Sequence, residues 1–212
     1  MLTVHHLGVS QSERIVWLCE ELELPYHLIR YQRDPVTRLA PADYKALHPT
    51  GTAPVITDGD LVLGESAAII DYIIALHGGG RLAVTANEAN FADYLFWFHF
   101  ANGSMMPSAL LELVVAMVGP TNTAIARSLA VRADRAFDVV EQRLGVSPYF
   151  AGQDFTAADI IMLFPLTTMR LFAPRDLSPY PNLRAYLQRI GERPAYRRAM
   201  QKADPDLTPQ LT

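Results

Sequence analysis

Two serines, Ser10 and Ser12, sit in the run Val9-Ser10-Gln11-Ser12-Glu13-Arg14, between a short apolar segment and a helical pattern. A hydroxyl at such a junction has two uses. It can cap the helix, the role open to Ser12. It can also lie just outside the helix, as Ser10 does, and face one anionic ligand atom together with the free N–H groups of the first turn. A second group is His48-Pro49-Thr50-Gly51-Thr52-Ala53-Pro54-Val55. Pro54 reads either as an ordinary edge-strand proline or as a cis residue. In the cis case the backbone of Val55 turns to pair with an extended peptide, as an added strand does. The third group, Gly64-Glu65-Ser66, opens a helix. Capping and the helix macrodipole explain both side chains. Equally, the Glu65 carboxylate suits an ammonium and the Ser66 hydroxyl and N–H suit a carboxylate, the two charged ends of a free α-amino acid group. Each group alone is a weak signal, and their order along the chain is the stronger one.

The elements that must hold these groups follow from hydrophobic spacing. Leu2 to Leu7 reads as a strand and Ser12 to Glu23 as a helix, with Ile15, Leu18, Cys19 and Leu22 on one apolar face. Tyr26 to Tyr31 reads as a second strand, so the three form a βαβ unit with parallel strands. Ala53 to Ile56 and Leu61 to Leu63 flank the turn Asp58-Gly59-Asp60 and should pair antiparallel, followed by a helix from Glu65 to His77. Residues 1–78 are therefore expected to form an α/β domain with a small mixed sheet. Gly78-Gly79-Gly80 stops the last helix, 79–87 reads as a linker, and 88–212 as an all-helical domain. Its helical patterns cover 88–118, 122–144, 156–172, 181–191 and 194–202. Thr156 with Asp159 forms a helix-start signature, Phe155 can staple to Ile160, and Pro165 should kink its helix.

Bulk composition narrows the function. The 212 residues are 50% hydrophobic, enough for a real core, so disorder is not expected. With 18 basic and 22 acidic residues the formal charge is −4, which gives no footprint for nucleic acid. The apolar stretch Leu113 to Ala126 is broken by Gly119-Pro120. It falls short of the roughly 20 residues that span a bilayer, so no membrane partner is expected. The N-terminal residues lack a signal-peptide pattern, and a cytoplasmic protein is expected. The single Cys19 has no Cys-x-x-Cys partner and reads as a core thiol. The six histidines show no metal-ligand spacing, so no metal site is expected. Arg189, Arg193, Arg197 and Arg198 read as a solvated helix face.

The segments HHLGVSQSERIVWLCEELELPY, HPTGTAPVI, LGESAAIIDYI, FTAADI and YPNLRAYLQRIGERPAYRRAM together resemble the cytosolic glutathione transferase superfamily over nearly the whole chain. FWFHFANGSMMP resembles the first C-terminal helix of its bacterial and fungal serine-type branch. The resemblance implies a thioredoxin-like domain that binds glutathione and a helical domain that supplies the second-substrate pocket. It makes Ser10 the catalytic hydroxyl, Pro54 the cis proline, Val55 the backbone partner of the cysteinyl unit and Glu65-Ser66 the γ-glutamyl clamp. Glutathione would be a co-substrate, no other cofactor is implied, and the family is typically homodimeric. Two positions depart from the pattern. Thr52 stands where many relatives have a lysine that meets the glycyl carboxylate, a role His48 or Lys45 could take over. Asn102 stands where relatives often have glutamate. His99, Asn102 and Met106 are the candidate second-site residues.

Such an enzyme must present glutathione as thiolate, whereas a free thiol of pKa near 8.5 is only about 3% ionised at pH 7. Lowering that pKa by two units takes roughly 2.7 kcal/mol and raises the thiolate fraction about 25-fold. About 8-fold is lost again as reduced nucleophilicity, leaving a net gain of about 3-fold. Most acceleration must then come from holding a small hydrophobic electrophile beside the sulfur. The rival readings are glutathione-dependent peroxidase, disulfide reductase, dehalogenase or isomerase chemistry, and a non-catalytic ligand-binding member of the same fold.

Overall fold

The apolar alternation of the first residues produces β1 (Leu2–Leu7), which is buried at every position except its exposed-side Thr3. That burial follows from its central place in a four-stranded sheet of order β2-β1-β3-β4. β2 (His27–Tyr31) pairs parallel to β1, while β3 (Val55–Asp58) runs antiparallel to β1 and to β4 (Leu61–Gly64). The crossover between the parallel pair is α1 (Glu13–Glu21), and α3 (Ser66–Leu76) follows β4. The mixed α/β reading of this region is thus met. A four-residue helix, α2 (Ala42–Lys45), occupies a stretch where no element was expected. Its Tyr44 is fully buried and joins Leu7 and Val55 in a small cluster, a single anchoring residue that carries no periodicity to read.

The computed structural model describes residues 1–118 and 123–212. The break expected at Gly119-Pro120, and the start of a helix at position 122, lie outside the described residues. The chain divides into two compact units that do not follow chain order. One comprises Met1–Ala83 with Glu192–Pro209, the other Val84–Gly191 with Gln210–Thr212. This corrects the assignment of 88–212 to one helical domain, because α9 (Pro194–Ala203) packs on α1. Complementary charge and shape explain the pairing. Glu20 meets Arg198 and Lys202, Glu21 meets Arg193, and Trp17 stands edge-on to Tyr196. Arg193 and Arg198 therefore do not belong to a solvated face. Burial raises the pKa of Glu20, but hydrogen bonds from Lys202, Tyr26 and Arg198 outweigh it and hold the carboxyl below its ordinary value. With the sheet on one side and α9 on another, α1 is buried from Glu13 through Glu20, well beyond the single face its periodicity marks. Cys19 is wholly inside it, and burial pushes its thiol up to about 12, as an inert core thiol requires.

The second unit is helical: α4 (Phe91–Phe100), α5 (Met106–Val118), α6 (Ala124–Val146), α7 (Ala157–Leu166) and α8 (Pro181–Glu192, whose last residue belongs to the first unit). α4 and α5 join through a π-helical turn at Ala101–Met105 that contains Gly103. The run Phe91–Met117 is long and apolar enough, by length and composition, to cross a bilayer, unlike the shorter stretch that begins at Leu113. In the fold Tyr94, Trp97 and Phe98 are buried and α4 packs on α7, while Leu95 and Phe96 of the same helix are exposed. Pro165, with no N–H to donate, stands one residue before the end of α7, and a 3-10 turn (Thr168–Leu171) replaces the expected helical continuation.

Candidate functional site

At the β1–α1 junction the serines take roles that spacing alone left open. Ser12 occupies the N-cap position, but its side chain makes no capping bond. Its Oγ instead accepts from the Leu7 N–H at 3.1 Å and lies 2.7 Å from Ser10 Oγ. Ser10 is 4% exposed, and its hydroxyl donates to the Leu7 carbonyl at 2.6 Å. The first turn is tighter than expected. Glu13 N–H donates to the Ser10 carbonyl, Arg14 N–H to that of Gln11, and Ser12 N–H to Ser10 Oγ. Those N–H groups are engaged within the turn, so the expected set of free donors is reduced and the Ser10 hydroxyl carries more of any anion stabilisation. Val9, just before it, has φ 52°, an outlier for a β-branched residue. Asp204 holds it by accepting its N–H at 3.1 Å, and Arg33 holds it by donating to its carbonyl at 3.2 Å. Strain fixed from both sides in this way is typical of functional junctions.

The second group lies beside the first in the sheet. The Ala53–Pro54 peptide bond is cis. Val55, however, is fully buried in β3, in register with His5 on one side and Gly64 on the other. Val55 thus lies between two strand partners inside the sheet. Ala53, half-buried and outside both ladders, is the residue whose backbone borders the sheet here, and it packs against the Leu7–Tyr44–Val55 cluster.

In the third group Glu65 has φ 72° and ψ 120°, a second strained non-glycine residue, and its exposed side chain stands at the start of α3. Ser66 is 2% exposed and accepts a hydrogen bond from Arg14 at 3.3 Å. With Arg14 fixed as donor, the Ser66 hydroxyl hydrogen is left to donate in turn, and the guanidinium brings positive charge to the same spot. Arg14 is fully buried; burial lowers its pKa to about 9 against the opposing pull of Glu13. Its role was not legible from spacing, although an arginine on an otherwise apolar helix face was the available signal. A Cβ at Gly64 would stand 3.3 Å from the His48 ring, a tight contact that the missing side chain avoids. His48 therefore flanks the junction, its Nδ1 2.9 Å from Thr50 Oγ1, and Thr52 is exposed on the same loop. Ser10 bonds Leu7, Leu7 clusters with Val55 and Ala53, Val55 pairs with Gly64, and Arg14, one turn along α1 from Ser10, bonds Ser66, which closes a ring of contacts around the three groups.

The remaining candidates are in the second unit. Met106 is buried with Ala109, Phe164 and Met169 and serves as core. Asn102 is half-buried in the π-helical turn. His99 is exposed and lines an open recess of about 430 Å³ with Leu95, Phe96, Phe100, Gly103 and Ser104.

Known proteins resemble the chain along both of its halves. Residues 10–76 match the model of the glutathione S-transferase N-terminal domain, and 105–194 that of its C-terminal domain. Glutathione S-transferase 3 of Schizosaccharomyces pombe is 34% identical over 96% of this chain and 88% of its own length. A crystal structure of a glutathione S-transferase from Actinobacillus pleuropneumoniae superposes with a TM-score of 0.89 at 33% identity, covering 100% of this chain and 99% of that one. A glutathione transferase family member from Pseudomonas fluorescens, solved with two glutathione bound, has the same fold at a TM-score of 0.77 and 21% identity, covering 94% and 92%. Through these matches, over both halves and nearly its full length, the chain belongs to the glutathione S-transferase family.

Proposed function

We propose that the protein is a serine-type transferase that joins the thiolate of glutathione to small hydrophobic electrophiles. The observation that carries this reading is the ring of contacts in the first unit, which gathers three complementary groups. Ser10 offers a hydroxyl for the sulfur. Ala53, rather than Val55, offers backbone for the cysteinyl unit. Glu65 and Ser66, the latter backed by Arg14, offer an anion and a donor for the ammonium and carboxylate of the γ-glutamyl end. Thr52 and His48 remain the residues for the glycyl end. The solved relative with two glutathione bound supports the tripeptide as ligand. In the second unit the recess beside Phe96 and His99 is the apolar surface suited to an electrophile, with Asn102 in the adjoining π-helical turn.

Leu95, Phe96, Leu110, Leu111, Val114 and Met117 leave an exposed apolar face along α4 and α5, which supports a homodimer. Detoxification in the cytoplasm, with glutathione as co-substrate and no resident cofactor, is the role this chemistry fits.

Titration calorimetry tests the clamp. Removing a hydrogen bond to a charged group costs about 1.5–3 kcal/mol. Glu65→Ala and Ser66→Ala should therefore each weaken glutathione binding about tenfold or more. Wild-type affinity in both variants would overturn the clamp. Product analysis with a panel of electrophiles, peroxides and mixed disulfides then separates conjugation from the other glutathione-dependent reactions.

A further inference from the structure

Behind Ser10 a chain of polar groups runs inward through the first unit. Ser10 Oγ is 2.7 Å from Ser12 Oγ, Ser12 Oγ is 2.9 Å from His6 Nδ1, and His6 Nε2 is 3.0 Å from Asp204 Oδ2. His6 is fully buried, on the same side of β1 as the apolar Leu2 and Val4. Asp204, which ends α9, also accepts the Val9 N–H through its other oxygen. The capping explanation for Ser12 is removed by its missing capping bond, and nothing in the glutathione clamp uses His6 or Asp204. An aspartate, a histidine and a hydroxyl in this order form the arrangement in which a carboxylate fixes the imidazole tautomer and steadies the imidazolium that forms.

We propose that Asp204, His6 and Ser12 form a buried proton relay that takes the thiol proton of bound glutathione through Ser10 and holds it on His6. The proposal rests on the reading of Ser10 as the hydroxyl that faces the sulfur.

In the resting state the Asp204 carboxylate can only accept, so neutral His6 carries its proton on Nε2 and presents Nδ1 as an acceptor to Ser12. When the thiol arrives, the S–H bond breaks and its proton forms a new O–H bond on Ser10. The Ser10 hydroxyl turns its own hydrogen from the Leu7 carbonyl onto Ser12 Oγ, 2.7 Å away; that former Ser10 proton passes to Ser12, and the former Ser12 proton to His6 Nδ1. Every oxygen ends with one hydrogen, the sulfur is a thiolate that accepts from Ser10, and the imidazolium is paired with Asp204. After the carbon–sulfur bond forms, the same path run backwards delivers the proton to the leaving group.

The hydrogen bonds around Ser12 allow this reversal. Its oxygen accepts from Leu7 N–H throughout and has a second lone pair for His6 once the ring is protonated. The charged groups near the ring come from three elements. They are Asp204 at the end of α9, Arg30, its exposed register neighbour on β2, and Arg33 beyond β2, which donates to the Gly8 and Val9 carbonyls and interacts with Asp204. α1 presents Ser12.

The test compares thiolate formed with protons released when glutathione binds the unmodified protein near pH 6.5. Ultraviolet absorbance reads the thiolate, and calorimetry in buffers of different ionisation heat reads the protons. The expected result is a bound thiolate with far fewer protons released than thiolate formed. Release equal to thiolate formed would overturn the relay while leaving Ser10 as the sulfur's partner, and absence of bound thiolate would sink both readings. Asp204→Asn places an amide donor against His6 Nε2 and so reverses the tautomer. That variant should lose about fivefold of the bound thiolate at this pH, the effect of a one-unit rise from a thiol pKa of about 6.5. It should still bind S-methylglutathione, which has no thiol proton, with unchanged affinity. His6→Gln should behave alike. An equal loss of affinity for glutathione and its S-methyl analogue, with the thiolate fraction intact, would make Asp204 and His6 scaffold residues and overturn the proposal.

Discussion

The starts of α1 and α7 use the same materials differently. Each has a hydroxyl residue at its N-cap, Ser12 and Thr156, and each is buried. At α7 the polar groups cap their own helix and tie its start to neighbouring elements. Thr156 accepts from Ala158 N–H, and Asp159 accepts from the Thr156 N–H at 2.9 Å, from Phe150 N–H at 3.0 Å and from the Tyr186 hydroxyl at 3.2 Å. At α1 the hydroxyl turns away from its helix and joins Leu7, His6 and Ser10. A capped start satisfies its donors locally and stabilises the fold. An uncapped one passes its hydrogen bonds onward, here to a serine at the end of the chain of contacts. The prediction from this contrast is that damage at α7 is read in stability and damage at α1 in chemistry.

The largest effect is expected at Asp159. Its side chain is fully buried and gathers three elements: the segment at Phe150, the start of α7, and α8 through Tyr186. Asp159→Ala leaves several buried donors without an acceptor. It should lower the unfolding free energy by about 3–5 kcal/mol, with activity lost only in step with the folded fraction. Urea denaturation measures the first quantity. A variant that keeps wild-type stability but loses turnover would reverse the contrast.

A smaller effect should appear in the pH dependence. Burial pushes the Asp159 carboxyl up to about 6, against the hydrogen bonds from Phe150, Thr156 and Tyr186 that favour its charged form. With a folded pKa above the unfolded value near 3.9, the folded protein binds more protons between about pH 4 and 6. Stability from this group is therefore greatest below pH 4 and falls as pH rises through 6. Asp159→Asn cannot titrate. Relative to that variant, the wild type should lose on the order of 2 kcal/mol between pH 4 and 7. A difference that stays constant with pH would show that the hydrogen bonds, and not burial, control the group.

The two helix starts also show what sequence could and could not reveal. Thr156 and Asp159 are three residues apart, so their partnership was legible in the local pattern, as were the strands, the βαβ unit and the order of the three site groups. The partners of Ser12 were less accessible. Leu7 is five residues away, but Asp204, which completes the chain through His6, is 198 residues from it. The same long range hid the docking of α9 on α1. Arg193 and Arg198 read as solvated charges until α1 supplies Glu21 and Glu20. The surroundings of Val55 were hidden for a related reason. Position beside Pro54 suggested a free backbone, whereas strand pairing on both sides of β3 had already engaged it.

The smallest effect, Ser10→Ala, tests the α1 side of the contrast. The Ser10 hydroxyl bonds the Leu7 carbonyl, which Ser12 also reaches at 3.3 Å, so its removal should change stability by about 1 kcal/mol or less. The chemical effect should depend on pH in a way no stability defect reproduces. For a two-unit depression of the thiol pKa, the wild type at pH 6.5 holds about fifty times more thiolate than the variant. The variant's more basic thiolate recovers about eightfold, leaving a loss in kcat/KM of about sixfold. Near pH 9.5 both thiols are ionised and the order inverts, with the variant faster by up to about sevenfold. Single-substrate rates across that range, with folding monitored in parallel, measure the ratio. If the ratio stays flat with pH, Ser10 belongs to the scaffold, as Asp159 does, and the two helix starts no longer differ in kind.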